Sequence, residues 1–192
     1  MDSKKKLANY YTSGTIENGD AVRLFKDLSR SQEDMSQEPS FIWLVSSINH
    51  NRLRSRQLTI LLHSCASFLP TWRPDDTFLH HTFRSVQTQL EDFDPMGLTQ
   101  VVWSAAKMSI VLPPFLVAPI MIKIQNMAPR FNPQDVANIL WGFARQKTTT
   151  PSVTRVGNLL LERAAAVAFR TKPMEIANIF WGEYLTILLF DF

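Results

Sequence analysis

The sequence is short of cysteine, glycine and long apolar runs, and each shortage removes a class of function. Cys65 is the one cysteine in 192 residues. An intrachain disulfide or a thiolate metal cluster is therefore out of reach, and the ordinary role left for Cys65 is that of a small buried hydrophobe in a reducing compartment. Six glycines leave no loop rich enough to cradle a phosphate, and the P-loop, Gly-x-Ser-x-Gly and His-Glu-x-x-His patterns are missing. His80 and His81 stand near Asp75 and Asp76 with no further ligand-type neighbours. His63 and Cys65 are two apart on one expected helix and so point to different sides. No catalytic residue, metal or cofactor is expected, and the chain does not read as an enzyme. The longest apolar run, residues 110–122, is too short to span a bilayer and contains three prolines, so no membrane is expected among the partners. The first residues hold a basic patch with no apolar stretch behind it. They hold no arginine before Arg23, but do hold Asp2, Glu17 and Asp20, which makes neither a signal peptide nor a convincing organellar presequence.

What the chain does have is the composition of a folded protein, 45% hydrophobic and 11% aromatic, with a net charge of +3 and a pI near 9.2. That mild basic bias is compatible with a polyanionic partner without requiring one. It also has an internal repeat. Residues 131–146, FNPQDVANILWGFARQ, are echoed from Lys172 by KPMEIANIFWGEY. Pro95, Pro133 and Pro173 lie 38 and 40 residues apart, and 40 residues before Pro95 is Ser55. Counted from these starts, offset three is Leu58, Leu98, Val136 and Ile176. Offset eight is His63, Trp103, Trp141 and Trp181, and offset nine is always small: Ser64, Ser104, Gly142 and Gly182.

Each start reads as a helix N-terminus. Asp94-Pro95 and Asn132-Pro133 place a side-chain acceptor at the N-cap and proline in the first turn, where its missing N–H costs nothing. Phe93 and Phe131 precede Leu98 and Val136 by five residues, the spacing of a hydrophobic staple. The start at Thr171-Lys172-Pro173 lacks a good cap. A second helix fits between starts: apolar residues recur at helical spacing in 74–92 and 152–169, and 114–128 is apolar nearly all round with Pro119 expected to kink it. Pro70, Pro74, Pro113-Pro114 and Pro151 punctuate the pairs. The expectation is an all-α chain, a right-handed α-solenoid of stacked helix pairs, 38–40 residues each, occupying residues 38–192 with the last repeat cut short. Residues 1–37 are expected to be a degenerate helix and linker region, and Gly19–Leu28 with Glu38–His50 are the candidates for a degraded extra pair. An interrupted last repeat would leave Leu185, Ile187, Leu188, Leu189 and Phe190 uncovered, so poor solubility is expected.

The motif Pro-x-x-apolar-Ala-Asn-apolar-apolar-Trp-small resembles the octotricopeptide repeat family of algae and related protists, and is similar to the helical repeats found upstream of RAP domains in organellar proteins. The resemblance covers about residues 55–181. It is most specific at Pro133 and Pro173, weaker at Pro95, and thin at Ser55, where proline and tryptophan are both missing. It implies an α-solenoid that binds single-stranded RNA in a chloroplast or mitochondrion. Its work there would be RNA stability, processing or translation, with other organellar RNA-processing or translation proteins as further partners.

The residues themselves suggest where such a strand would lie. At about 100° per residue, offsets three, six, seven, ten and eleven share the buried side, and offsets one, five, eight and twelve share another line. That line carries Gln134, Asn138, Trp141 and Arg145 in one copy and Met96, Gln100, Trp103 and Lys107 in the copy before. The Ser55 copy begins it with Arg56, and the Pro173 copy contributes Met174, Asn178 and Trp181. An amide, an aromatic ring and a cation in line supply base-edge hydrogen bonds, stacking and phosphate neutralisation. A plainer account also fits: a tryptophan at a fixed repeat position packs against the neighbouring pair, the asparagines bond between repeats, and the small residues at offset nine let helices approach. A HEAT-like protein–protein scaffold would use the same surface for a peptide.

Overall fold

A computed structural model of the chain describes residues 2–31, 33–146, 151–167 and 171–179, with side chains for all of these but 151–153. Every regular element among them is helical. The α-helices are α1 (Ser3–Ser13), α2 (Asn18–Ser29), α3 (Pro39–Ser47), α4 (Ser55–Phe68), α5 (Asp76–Thr88), α6 (Pro95–Lys107), α7 (Pro114–Met127), α8 (Pro133–Gln146) and α9 (Pro151–Ala166). Single 3-10 turns fill His50–Arg52, Leu90–Asp92 and Ala128–Arg130, and helical backbone resumes over 173–179. Trp181 and the apolar residues 185–190 lie outside the described residues.

The helix starts follow from local chemistry. Asp94 Oδ1 accepts the Gly97 N–H at 2.7 Å to open α6. At α8 the exchange is reciprocal: Asn132 Oδ1 accepts the Asp135 N–H at 2.9 Å while Asp135 Oδ2 accepts the Asn132 N–H at 3.1 Å. Phe93, Leu98, Phe131 and Val136 are all buried, as the staples require. The start at Pro173 gets a one-sided version, with Glu175 Oε2 accepting the Lys172 N–H at 2.7 Å. Proline at Pro114 opens α7, and the helix runs on through Pro119 to Met127.

Two details depart from the expected elements. The helix expected over 74–92 is shorter: α5 begins after Asp75, whose Oδ1 accepts the Phe78 N–H at 2.7 Å, and ends at Thr88. Gln89 leaves the helix at φ −111° and sends its side-chain amide to the Leu53 carbonyl, 2.6 Å away. And residues 3–13 form a regular helix, α1, within the stretch expected to be a degenerate helix and linker region. Asp2 caps it by accepting the Lys4 N–H, and Gly14, at φ 69°, ends it in the left-handed conformation that glycine adopts without strain. It buries only Leu7, so its apolar periodicity is nearly silent.

The chain forms two compact units, Met1–Gln89 and Leu90–Phe192. Within the first, α2 packs on α4, α1 on α3, and α4 on α5. An aromatic cluster joins its helices. Phe25 of α2, Phe41 of α3 and Phe68 of α4 meet with ring centroids 4.9–5.9 Å apart, and Trp72 stands edge-on to all three. Within the second unit, α6 packs on α8, α7 on α9, and each first helix on its own second helix. First helices thus lie on first helices and second on second, the two-layer packing that lets helix pairs share a core.

Candidate nucleic-acid interface

On α6 and α8 the repeat positions sort cleanly by burial, but on the helix that begins at Pro173 the offset-three residue, Ile176, is 41% exposed rather than buried. Offsets three, six, seven, ten and eleven are buried in both copies: Leu98, Val101, Val102, Ala105 and Ala106 on α6, and Val136, Ile139, Leu140, Phe143 and Ala144 on α8. Offset nine is where the two helices touch. A Cβ on Gly142 would stand 2.7 Å from Val102 Cγ1 and 3.3 Å from the Val102 carbonyl oxygen, so the seam between α6 and α8 depends on glycine there. Close approach therefore accounts for the small residue, as the plainer reading had it.

The line at offsets one, five, eight and twelve is left at the surface. Gln134, Met96, Lys107 and Arg145 are exposed, while Asn138, Gln100, Trp103 and Trp141 are half-buried. Packing of α6 on α8 brings the two tryptophans together, ring centroids 6.4 Å apart with planes inclined by 33°. The Arg145 guanidinium lies 5.6 Å from the centre of the Trp141 ring, within cation–π range. Its Nε donates at 3.3 Å to the Ala106 carbonyl, which also accepts the Ser109 N–H, in the last turn of α6, where the helix dipole favours a cation. Lys107 follows in the chain. Two rings and two cations from consecutive repeats thus form one patch.

The amides are less uniform. Gln100 encloses its Oε1 with no hydrogen-bond partner among the described residues. Asn178 is half-buried on the helix that begins at Pro173, and its repeat partner Trp181 lies outside the described residues. On α4, in the first unit, Arg56 is exposed and Ile60 replaces the amide. His63, in the tryptophan position there, is held below the ordinary imidazole range by partial burial and by the charges of Lys26 and Arg30. Cys65 faces the other way, fully buried, and burial pushes its thiol far up.

Behind the patch stands a layer that the repeat pattern does not announce. Gln146, buried, accepts the Leu112 N–H at Oε1 (3.0 Å) and gives Nε2 to the Val102 carbonyl (3.4 Å), locking the turn after α6 to the end of α8. The corresponding residue of the preceding copy is Met108, so self-comparison gives no signal for it. Asp135, also buried, is displaced above the usual carboxylate range by burial, against the opposing hydrogen bond from the Asn132 N–H. Among the described residues no three His, Cys, Asp or Glu side chains are grouped as a metal site would need, and no helix is long and apolar enough to cross a membrane. No protein-family model matches the chain, and no curated protein matches it either.

Proposed function

We propose that the chain is an RNA-binding helical-repeat module, built as a right-handed α-solenoid of the octotricopeptide type, that acts on single-stranded RNA in a chloroplast or mitochondrion. The observation that carries the binding reading is the patch of Trp103, Trp141, Arg145 and Lys107 on α6 and α8. Aromatic rings with a solvent face stack on bases of any identity, and cations beside them neutralise phosphates. Gln134 and Asn138 stand in the same line, where amides can read base edges. Support for the organelle, and for a role in RNA stability, processing or translation, comes from the repeat motif alone.

One observation favours the HEAT-like scaffold instead. Offset one is methionine in two copies, and Met96 and Met174 are 57% and 73% exposed. Exposed methionines suit an adaptable peptide-binding face better than base readout. Fluorescence anisotropy of a labelled single-stranded RNA separates the two. Arg145→Ala and Lys107→Ala together should weaken binding at low salt, and Trp141→Ala should weaken it with little loss of thermal stability. Unchanged RNA binding in the Arg145/Lys107 double variant would end the RNA reading.

A further inference from the structure

Residues 52–56 read Arg-Leu-Arg-Ser-Arg, and the fold turns this alternation into a cluster of positive charge. The backbone is extended at Leu53 (φ −81°, ψ 140°) and Arg54 (φ −83°, ψ 162°), which sends successive side chains to opposite sides. Leu53 is buried, and its carbonyl is held by Gln89. Arg52 and Arg54 are thereby committed to the outer side, and Arg56 joins them from the first turn of α4. All three line one open cavity of about 950 Å³ in the unit Met1–Gln89. Its opposite wall is the start of α2, tied down by Asn18, whose Oδ1 accepts the Asn49 N–H at 2.9 Å and whose Nδ2 donates to the Asn49 carbonyl at 2.8 Å.

The charge count of this cavity is unbalanced. Three arginines face it and Glu17 is the one acidic residue lining it. None of the three guanidinium groups pairs with a carboxylate among the described residues, although Lys4, Arg23, Arg30 and Lys123 all do so elsewhere. Unspent arginines gathered in one concavity match a ligand with about two negative charges and several acceptor oxygens. A phosphate monoester has both at neutral pH, where its second ionisation is largely complete. A backbone phosphodiester has a single charge.

We propose that Arg52, Arg54 and Arg56 form a binding site for a terminal phosphate monoester. Two sources share that chemistry, the 5′ end of an RNA and a free nucleoside monophosphate. The first rests on the RNA reading of α6 and α8; the second does not.

The full chain is titrated with two single-stranded RNAs of one sequence, one 5′-phosphorylated and one 5′-hydroxyl, and separately with AMP by calorimetry. The 5′-phosphate is expected to tighten RNA binding about tenfold, the worth of one added charge-assisted contact. Combined Arg52→Ser, Arg54→Ser and Arg56→Ser should abolish that preference while leaving the 5′-hydroxyl RNA bound more weakly by a similar factor or less. The variant should fold, because the arginine side chains are exposed and the bond that opens α4, from the Arg54 N–H to Gln57 Oε1 (2.9 Å), uses only the Arg54 backbone. Circular dichroism checks this, and Arg52→Ser alone, outside α4, should already reduce the preference. AMP binding that is lost in the triple variant, with neither RNA bound by the parent chain, would uphold the site and sink the RNA reading. A triple variant that keeps the parent's 5′-phosphate preference and AMP affinity, or a parent that shows neither, overturns the proposal.

Discussion

Gly142 shows how a single residue can be read from sequence and still need structure for its reason. Its position in the repeat marks it as small, but only the packing of α6 on α8 shows what the missing side chain avoids. Gly142→Ala puts a methyl 2.7 Å from Val102 Cγ1, and overpacking of this kind costs about 1–3 kcal/mol. A denaturant melt should show that loss, and adding Val102→Ala should recover only part of it, because the Val102 carbonyl oxygen remains 3.3 Å from the new methyl. His50 is the converse, a residue with no repeat signature. Thr82 gives its hydroxyl proton to the Phe78 carbonyl at 2.8 Å, so its contact with His50 Nδ1 at 3.0 Å requires the proton on that ring nitrogen. Burial first, and the charge of His81 second, lower its pKa from 6.5 to about 4. Between those values the unfolded chain binds a proton that the folded chain refuses, so stability must fall as pH drops from 6.5 to 4. Melting temperatures across that window should decline less steeply in His50→Asn. His63 shifts in the same direction and leaves a residual slope. Equal slopes in variant and parent would contradict the assignment.

Individual helices were legible where a cap, a proline and an apolar stripe coincide, as at α6 and α8. They were illegible where one anchor does the work, as with Leu7 in α1. Nor did the sequence show how the second helix of each pair grips the turn before its own first helix. Lys123 of α7 donates to the Glu91 carbonyl at 3.0 Å, and Arg163 of α9 donates through Nε to the Phe131 carbonyl at 2.9 Å, each spanning 32 residues. The His50–Thr82 contact spans 32 residues as well. Three different residue types fill one structural role, so a search for identical residues passes over it. What repeats is a polar side chain on the second helix in reach of that turn, meeting a backbone carbonyl at Glu91 and Phe131 and the ring nitrogen of His50 in the first unit. Arg163→Met keeps the aliphatic stem and removes the donor, and should cost about 1–2 kcal/mol in urea unfolding. For Lys123 the ion pair to Glu91 matters less than the carbonyl bond, since the Glu91 side chain is 89% exposed. Glu91→Gln should therefore change stability by less than about 0.5 kcal/mol, while Lys123→Met behaves like Arg163→Met. Equal losses from Glu91→Gln and Lys123→Met would show the ion pair to be the stronger contact.

At the scale of the molecule, a repeat array should bind in proportion to the number of repeats that present the reading face. Solenoids that read single strands use about one repeat per base, and within the unit Leu90–Phe192 the exposed cations of the line are Lys107 on α6 and Arg145 on α8. If each meets one phosphate, the affinity for a 5′-hydroxyl RNA should fall with salt at a log–log slope of about 1.4, since a single-strand contact contributes roughly 0.7. Arg145→Ala should lower that slope by about 0.7 and weaken all sequences alike, because phosphate contacts carry no base identity. Asn138→Ala should instead flatten the preference at one base, by about 1–3 kcal/mol. Lengthening the RNA tests the same count independently. Affinity should climb steeply up to about four nucleotides, one per repeat, and beyond that gain only from the extra registers a longer strand offers. A slope near zero, or affinity that keeps rising steeply through ten nucleotides, would mean that the aromatic and cationic line is not the path of the strand.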